Sequence, residues 1–351
     1  MGKASAASPR RHPPAAGRTP RSPVPPTRPD ITGQTALYGV LGDPVSHSLS
    51  PVFWNAGFRA LGLDAVYVPF HVPAGRLAEA LAGLGALGVR GVNVTLPHKE
   101  AAARLCTTLE PPADDLQAVN TIRLGPDGAL HGANTDGPAM YRLLTSLWHP
   151  VGKGAPLPLA ERGYRAALRG GEGGTLPTSS RSVGKGIPAV PPGPVLLLGA
   201  GGAARAVLWS LFQAGATVIY WANRTAHRLV CPWSAERTQV RPVPWESQAL
   251  NEVMVESTLI INATSLGWRA EDRLPVLTAA PGPGQTWLDL VYHPASPLQQ
   301  AARAAGARVI DGLDLLLGQG AAAFTLLTGH PAPLAAMRRA LRRHLAGRSR
   351  A

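Results

Sequence analysis

A chain of 351 residues with 45% hydrophobic content has room for two domains with buried cores, and no apolar run reaches the length of about eighteen residues that a membrane span needs. The net charge of +13 suggests nucleic acid until it is located: residues 1–30 carry +5, 151–193 carry +4 and 338–351 carry +6, leaving the remainder at −2, so no nucleic-acid partner is expected. Only Cys106 and Cys231 are present, far apart and outside any CxxC or His-rich neighbourhood, which excludes a disulfide framework and a metal site and fits a reducing cytoplasm.

The first thirty residues hold eight prolines among Arg, Ala and Ser, and a disordered basic extension is expected over 1–35. Arg10 and Arg11 form a twin-arginine pair with no apolar stretch behind it, so an export signal is not expected, and an extended or misassigned start at Met1 is the simpler reading. Order is expected from Ala36. ALYGVLGD (36–43) reads as strand and turn, and SPVFWNAGFRALGL (50–63) as a helix with Ser50 as N-cap and Pro51 at the first helical position. VYVPFHV (66–72) is a second strand, RLAEALAGLGALG (76–88) has helical spacing, GVNVTL (91–96) is a third strand, and HKEAAARL (98–105) restarts a helix after Pro97. AVNTIRL (118–124) and ALHGANTD (129–136) flank Gly-Pro-Asp-Gly, a hairpin signal.

From about Ser146 to Pro194 the composition turns to Gly, Pro, Arg and Ser, and an inserted flexible linker is expected over 146–193, with a short helix around Leu159 to Leu168. The apolar strand Val195 to Leu198 then runs into Gly199, Gly201 and Ala204, the spacing of a dinucleotide fingerprint with Ala as its third small residue. Gly199 allows the tight turn, Gly201 removes a side chain from the path of a pyrophosphate, and the free N–H groups of the new helix face the anion. The turn Gly199, Ala200, Gly201, Gly202, Ala203 and Ala204 is the candidate cofactor loop. A second strand, Thr217 to Trp221, leads to Asn223, Arg224, Thr225 and Arg228. An NAD site usually carries Asp or Glu there, whereas a guanidinium accommodates a 2′-phosphate, so Arg224 with Arg228 favours NADP. LIINATS (259–265) and TWLDLVY (286–292) continue as strands, followed by a helix over Leu298 to Ala305, the strand ARVIDG (307–312), helices Leu313 to Leu327 and Pro333 to His344, and a basic tail over 346–351.

HSLSP (47–51), NVTLPHKE (93–100), AVNT (118–121) and GANTDG (132–137) are dense in hydroxyl, amide and charged groups at strand ends, which face the cleft in α/β folds. They suit a small ligand with several hydroxyls and a carboxylate. Ser48 and Ser50 are candidates for the carboxylate, Asn93, Asn120 and Asp136 for ring hydroxyls, and Lys99 for a proton donor or charge clamp. Each also has an ordinary structural use: Ser50 as a cap, the asparagines as turn formers, Lys99 as a solvated lysine.

At these residues the chain resembles the shikimate dehydrogenases. HSLSP, NVTLPHKE, AVNT, NTDG (134–137), GAGGAARA (199–206), NRTAHR (223–228), INATSLG (261–267) and DGLDLLLGQGAAAF (311–324) occur in that family's order. The resemblance covers about Ala36 to Leu144 and Pro194 to His344 and leaves out the tails and the linker. It implies a two-domain α/β fold, with an N-terminal mixed-sheet substrate domain (36–136 plus 312–345) and a Rossmann-type NADP domain (137–311 without the insertion), the cleft lying between them. It implies Lys99 and Asp136 as the catalytic pair, Ser48, Ser50, Thr95, Asn120, Tyr292 and Gln319 as substrate contacts with Asn93 as a further candidate, and Thr264 beside the cofactor loop. The implied reaction is reduction of 3-dehydroshikimate to shikimate by NADPH, in chorismate biosynthesis, by a cytoplasmic monomer or homodimer. The resemblance does not distinguish which of Lys99 and Asp136 delivers the proton. A quinate or shikimate paralogue of the same fold and a non-catalytic NADP-sensing protein are the alternatives.

Overall fold

The computed structural model describes residues 30–148, 190, 192–233, 238–267, 272, 281–292 and 296–348. Most of the expected extension over 1–35, nearly all of the insertion and its suggested helix around Leu159 to Leu168 lie outside the described residues.

Two six-stranded sheets organise the chain. The first contains β1 (Ala36–Gly42), β2 (Ala65–His71), β3 (Gly91–Val94), β4 (Thr108–Leu109), β5 (Thr121–Leu124) and β6 (Leu130–Ala133) in the order β2-β1-β3-β5-β6-β4. It is mixed: β1 pairs in parallel with β2 and β3, whereas β5 runs antiparallel to β3 and β6, the hairpin that Gly-Pro-Asp-Gly announces. The helices α1 (Ser50–Leu61), α2 (Leu77–Ala86), α3 (Lys99–Leu105) and α4 (Ala113–Leu116) belong to this half. The second sheet contains β7 (Val195–Leu198), β8 (Val218–Ala222), β9 (Gln239–Val243), β10 (Leu259–Asn262), β11 (Thr286–Asp289) and β12 (Arg308–Ile310), all parallel. Its order, β12-β11-β10-β7-β8-β9, is the doubly wound order of a dinucleotide domain, with the reversal between β7 and β10. β7, β10 and β11 are buried at every position, as helix layers on both faces require, which is why their sequences read as unbroken apolar runs.

The helices that follow are α5 (Asp136–Trp148), α6 (Gly202–Gln213), α7 (Ser247–Glu256), α8 (Pro297–Ala304), α9 (Leu313–Thr328) and α10 (Leu334–Arg348). Met140 and Leu144 of α5 sit in the core of the second sheet with Val195, Leu197, Val207 and Leu211. The last two helices return to the first: Leu317, Phe324 and Leu327 of α9 and Met337 and Leu341 of α10 share one cluster with Tyr38, Phe53, Trp54 and Phe58. A small contact joins the halves, Leu116 and Ala118 against Ala206 and Trp209, and Ser210 Oγ donates to the Gly137 carbonyl at 2.9 Å.

Several expectations shift. Ser50 is the first helical residue rather than the cap of α1, Leu49 holds the cap position, and no side chain caps the helix, because the Ser50 hydroxyl bonds Tyr67 instead. Helix α5 runs through Trp148, three residues into the stretch expected as linker, and α10 runs past His344 to Arg348. Residues 32–35, expected to be disordered, form a turn whose Thr35 hydroxyl donates to Asp64 at 2.7 Å. Strand β9 and helix α7 carry no sequence expectation. QVRPV is mostly exposed and contains a proline, the composition of an edge strand, which burial patterning cannot reveal.

Candidate active site

Helix α3 starts at Lys99 where β3 ends, and α5 starts at Asp136 where β6 ends, so two strand ends deliver the two charges to one place. Lys99 Nζ donates to Asp136 Oδ2 at 2.6 Å, with the side chains only 12% and 14% exposed. Burial of this kind weakens screening, so the pair holds its geometry more tightly than a surface ion pair does. Asp136 is fixed from behind. Asn134 Oδ1 accepts the backbone N–H groups of Asp136 and Gly137 at 3.0 and 3.1 Å, and its Nδ2 donates to the Ala118 carbonyl at 2.8 Å. The first turns of α5 and α6 both converge on Lys99, so their positive ends add to its field.

Next to the pair runs a chain of buried polar groups. Tyr67 OH donates to Asn93 Oδ1 at 2.7 Å and bonds Ser50, and burial pushes the phenol well above its ordinary range. Asn93 Nδ2 donates to the Asn120 carbonyl at 3.1 Å and to Thr121 Oγ1 at 3.0 Å. Asn120 Nδ2 donates to Thr135 Oγ1 at 2.9 Å and to Gln319 Oε1 at 3.4 Å, while its Oδ1 accepts the Thr135 N–H at 2.8 Å. Ser48 Oγ accepts the Ser50 N–H at 3.3 Å. Thr95 closes β3, its N–H donating to the Leu41 carbonyl at 2.9 Å and its methyl group against Gly42. Tyr292, just beyond β11, bonds the Leu49 backbone from the other half, and burial raises its phenol to about 12. Ser48, Ser50, Asn93, Asn120 and Gln319 are thus joined by hydrogen bonds through Tyr67, with Tyr292 held on the Leu49 backbone between the two serines and Thr95 two residues beyond Asn93. Tyr67, Asn134 and Thr135 belong to this neighbourhood as well. Asn134 was legible, since an Asn just ahead of a helix start is a capping signal. A tyrosine inside an apolar strand such as β2 carries no such signal.

The cofactor loop lies at the switch point. Gly199 has φ +108°, which only glycine adopts without strain, and a Cβ there would lie 2.8 Å from the Ala263 carbonyl oxygen and 3.2 Å from Thr264 N at the end of β10. At Gly201 a Cβ would meet nothing within 4 Å, so the turn leaves open space over the first N–H groups of α6. Ala200 and Ala204 are buried and Ala203 half-buried. Asn223 Nδ2 braces the next loop by donating to the Thr225 carbonyl at 2.9 Å. Arg224 is exposed at the end of β8, with no ion-pair partner among the described residues. Bare backbone at the pyrophosphate position and a guanidinium beside the adjacent strand fit an NADP-type dinucleotide. Arg228 departs from expectation: its Nη2 donates to Glu100 Oε1 at 2.5 Å, an ion pair across the cleft, because Glu100 follows Lys99 on the α3 end that faces this loop.

Thr264 is held by a buried group that sequence reading did not single out. Asn262 Oδ1 accepts Thr264 N–H and Oγ1–H at 3.1 and 2.6 Å, and Asn262 Nδ2 donates to Asp289 Oδ1 at 2.9 Å. Asp289 is fully buried, and burial raises its carboxyl to about 6 against hydrogen bonds from Val291, Trp287, Gln299 and Asn262 that lower it. The folded state then binds more protons than the unfolded one between pH 3.8 and about 6, so this group's contribution to stability falls as pH rises through that window. Urea unfolding across that range is expected to show a decline of about 3 kcal/mol from Asp289, absent from the Asp289→Asn variant; equal pH slopes for the two proteins would contradict it.

Among the described residues no helix is long and apolar enough to cross a membrane, and no cluster of His, Cys, Asp and Glu could hold a metal ion. Residues 40–122 match the family model of the shikimate dehydrogenase substrate binding domain, and residues 312–342 match that of the shikimate 5′-dehydrogenase C-terminal domain. The chain is 41% identical over 314 residues, 89% of its length, to an NADP(+) shikimate dehydrogenase of Anaeromyxobacter dehalogenans, covering 97% of that protein. It is similar to the crystal structure of shikimate dehydrogenase from Aquifex aeolicus, with a TM-score of 0.69 and 33% identity over 89% of this chain and 100% of that one. It is also similar to the shikimate 5-dehydrogenase of Thermus thermophilus in complex with NADP(H) and shikimate, with a TM-score of 0.63 and 32% identity over 88% of this chain and 99% of that one.

Proposed function

The chain belongs to the shikimate dehydrogenase family, and we propose that it reduces 3-dehydroshikimate to shikimate with NADPH, using Lys99 and Asp136 as its catalytic pair. The observation that carries the pair is a mostly buried lysine held 2.6 Å from an aspartate beside a dinucleotide turn. Bound NADPH supplies a hydride to the ring ketone. The Lys99 ammonium stabilises the negative charge that develops on the ketone oxygen, an effect that grows as water is excluded. Asp136 orients the ammonium and shares its proton traffic, and the pair delivers one proton to the nascent alkoxide. Ser48 and Ser50 take the substrate carboxylate, and Asn93, Thr95, Asn120, Tyr292 and Gln319 hold the ring. Gly199 to Ala204 with Thr264 receive the pyrophosphate side of the cofactor, and Asn223, Arg224 and Thr225 its 2′-phosphate end, with Arg228 reaching it only on leaving Glu100.

Cys106 and Cys231 are unbridged, which supports a reducing, cytoplasmic setting. The test follows NADPH absorbance with 3-dehydroshikimate, and in parallel with NADH and with quinate in the reverse direction. Turnover is expected with NADPH and 3-dehydroshikimate in preference to the other combinations. Activity confined to quinate would move the chain to the paralogous reading, and cofactor binding without turnover would make it a nucleotide sensor.

A further inference from the structure

Two usual reasons for a glycine do not apply to Gly202. In the fingerprint the small residues are Gly199, Gly201 and Ala204; position 202 is unrestricted, and the equivalent unrestricted positions 200 and 203 are alanines. Its backbone is helical, since it is the first residue of α6, so an L side chain brings no strain and alanine would favour the helix. The remaining reason is space. A Cβ at 202 would lie 3.0 Å from Lys99 Cβ, 3.2 Å from Lys99 Cδ and 3.5 Å from Ala118 Cβ, all on the opposite side of the cleft. One residue earlier, at Gly201, a Cβ would meet nothing within 4 Å.

We propose that Gly202 is a positioning residue for the reaction: its bare Cα is the seat on which the Lys99 stem lies, and that seat sets the ammonium on Asp136. The inference rests on the reading of Lys99 and Asp136 as the catalytic pair. The Lys99 backbone has little freedom to retreat, because its carbonyl accepts the Val119 N–H at 2.9 Å and the next residue, Glu100, is tied to Arg228 at 2.5 Å. A methyl group at 202 therefore displaces the flexible stem, which carries the ammonium. The nucleotide helix and the catalytic lysine are in this way packed as one unit, although they belong to different halves of the chain.

Gly202→Ala is expected to lower kcat by about tenfold, since displacements below an ångström at a reacting group cost factors of this size, while the Kd for NADPH, read by fluorescence titration, stays at the wild-type value, because alanine keeps the backbone N–H offered to the pyrophosphate and its Cβ would point at Lys99 and Ala118. In the Lys99→Ala background the same substitution is expected to have no further effect on the residual rate. Ala118→Gly, which vacates the other wall of the seat, should restore part of the kcat lost in Gly202→Ala. If Gly202→Ala does not fold, as judged by circular dichroism, the double variant with Ala118→Gly carries the same comparison of kcat with Kd. Unchanged kcat, or a raised Kd with kcat intact, overturns the proposal. So does an equal loss in the Lys99→Ala background. Wild-type turnover by Lys99→Ala alone would instead remove the catalytic pair on which the inference stands.

Discussion

Lys99→Ala is expected to lower kcat for ketone reduction by about a thousandfold, the scale for a group that both stabilises the developing oxyanion and takes part in proton transfer. The Kd for NADPH should change little, because the ammonium points to Asp136, whereas Gly202 meets only its stem. Lys99→Met separates charge from packing. It keeps an apolar stem against Gly202 and Ala118, so a loss matching that of Lys99→Ala assigns the effect to the ammonium. Either variant leaves Asp136 without its partner at 14% exposure, and some loss of thermal stability should accompany the loss of rate. The two effects part in a comparison at low temperature, where the folded fraction is complete and kcat stays low. Activity within about tenfold of wild type in a folded Lys99→Ala protein would falsify the catalytic assignment.

The second large effect concerns cofactor choice. Arg224→Ala should raise the KM for NADPH by about 10- to 100-fold, the worth of one charge-assisted contact of roughly 1.5–3 kcal/mol, and leave the KM for NADH where it was. Arg224 is exposed at the end of β8, whereas Arg228 is committed to Glu100, so Arg228→Ala should have the smaller effect. Parallel rises in both KM values would show that Arg224 supports the loop and does not read the 2′-phosphate. Parallel titrations with NADPH and NADH decide between the two.

Much of this site was legible before any fold was drawn, and the reason differs from residue to residue. The turn at Gly199 to Ala204 is local: a buried strand, a tight turn and a helix start are consecutive in the chain, so their chemistry is written in consecutive residues. Arg224 reads as a phosphate ligand because it ends the next strand, and the parallel pairing of β7 with β8 makes those two strand ends neighbours. Tyr67 and Asp289 were invisible for a common reason. Each is a polar residue inside an apolar strand, and only the partners that satisfy it, Asn93 and Ser50 for the first, Asn262 and Val291 for the second, distinguish a functional brace from an ordinary core residue. Ser50 misled because a serine before a helix satisfies the capping pattern equally well whether or not its hydroxyl faces the helix.

The sequence by itself determined the class of fold, the glycine turn after β7, the arginine after β8 proposed for the 2′-phosphate and the list of polar strand ends, since each depends on residues close together in the chain and on periodicities of burial. Tertiary structure decided who meets whom. Lys99 and Asp136 are 37 positions apart and Asn120 and Gln319 are 199 apart, and they touch because sheet order and the return of α9 bring their elements to one cleft. The same packing sends Arg228 to Glu100 and lays Lys99 on Gly202. Local pattern encodes which face of an element is buried, but not which distant element covers it, and contacts across the cleft therefore arise only from the assembled fold.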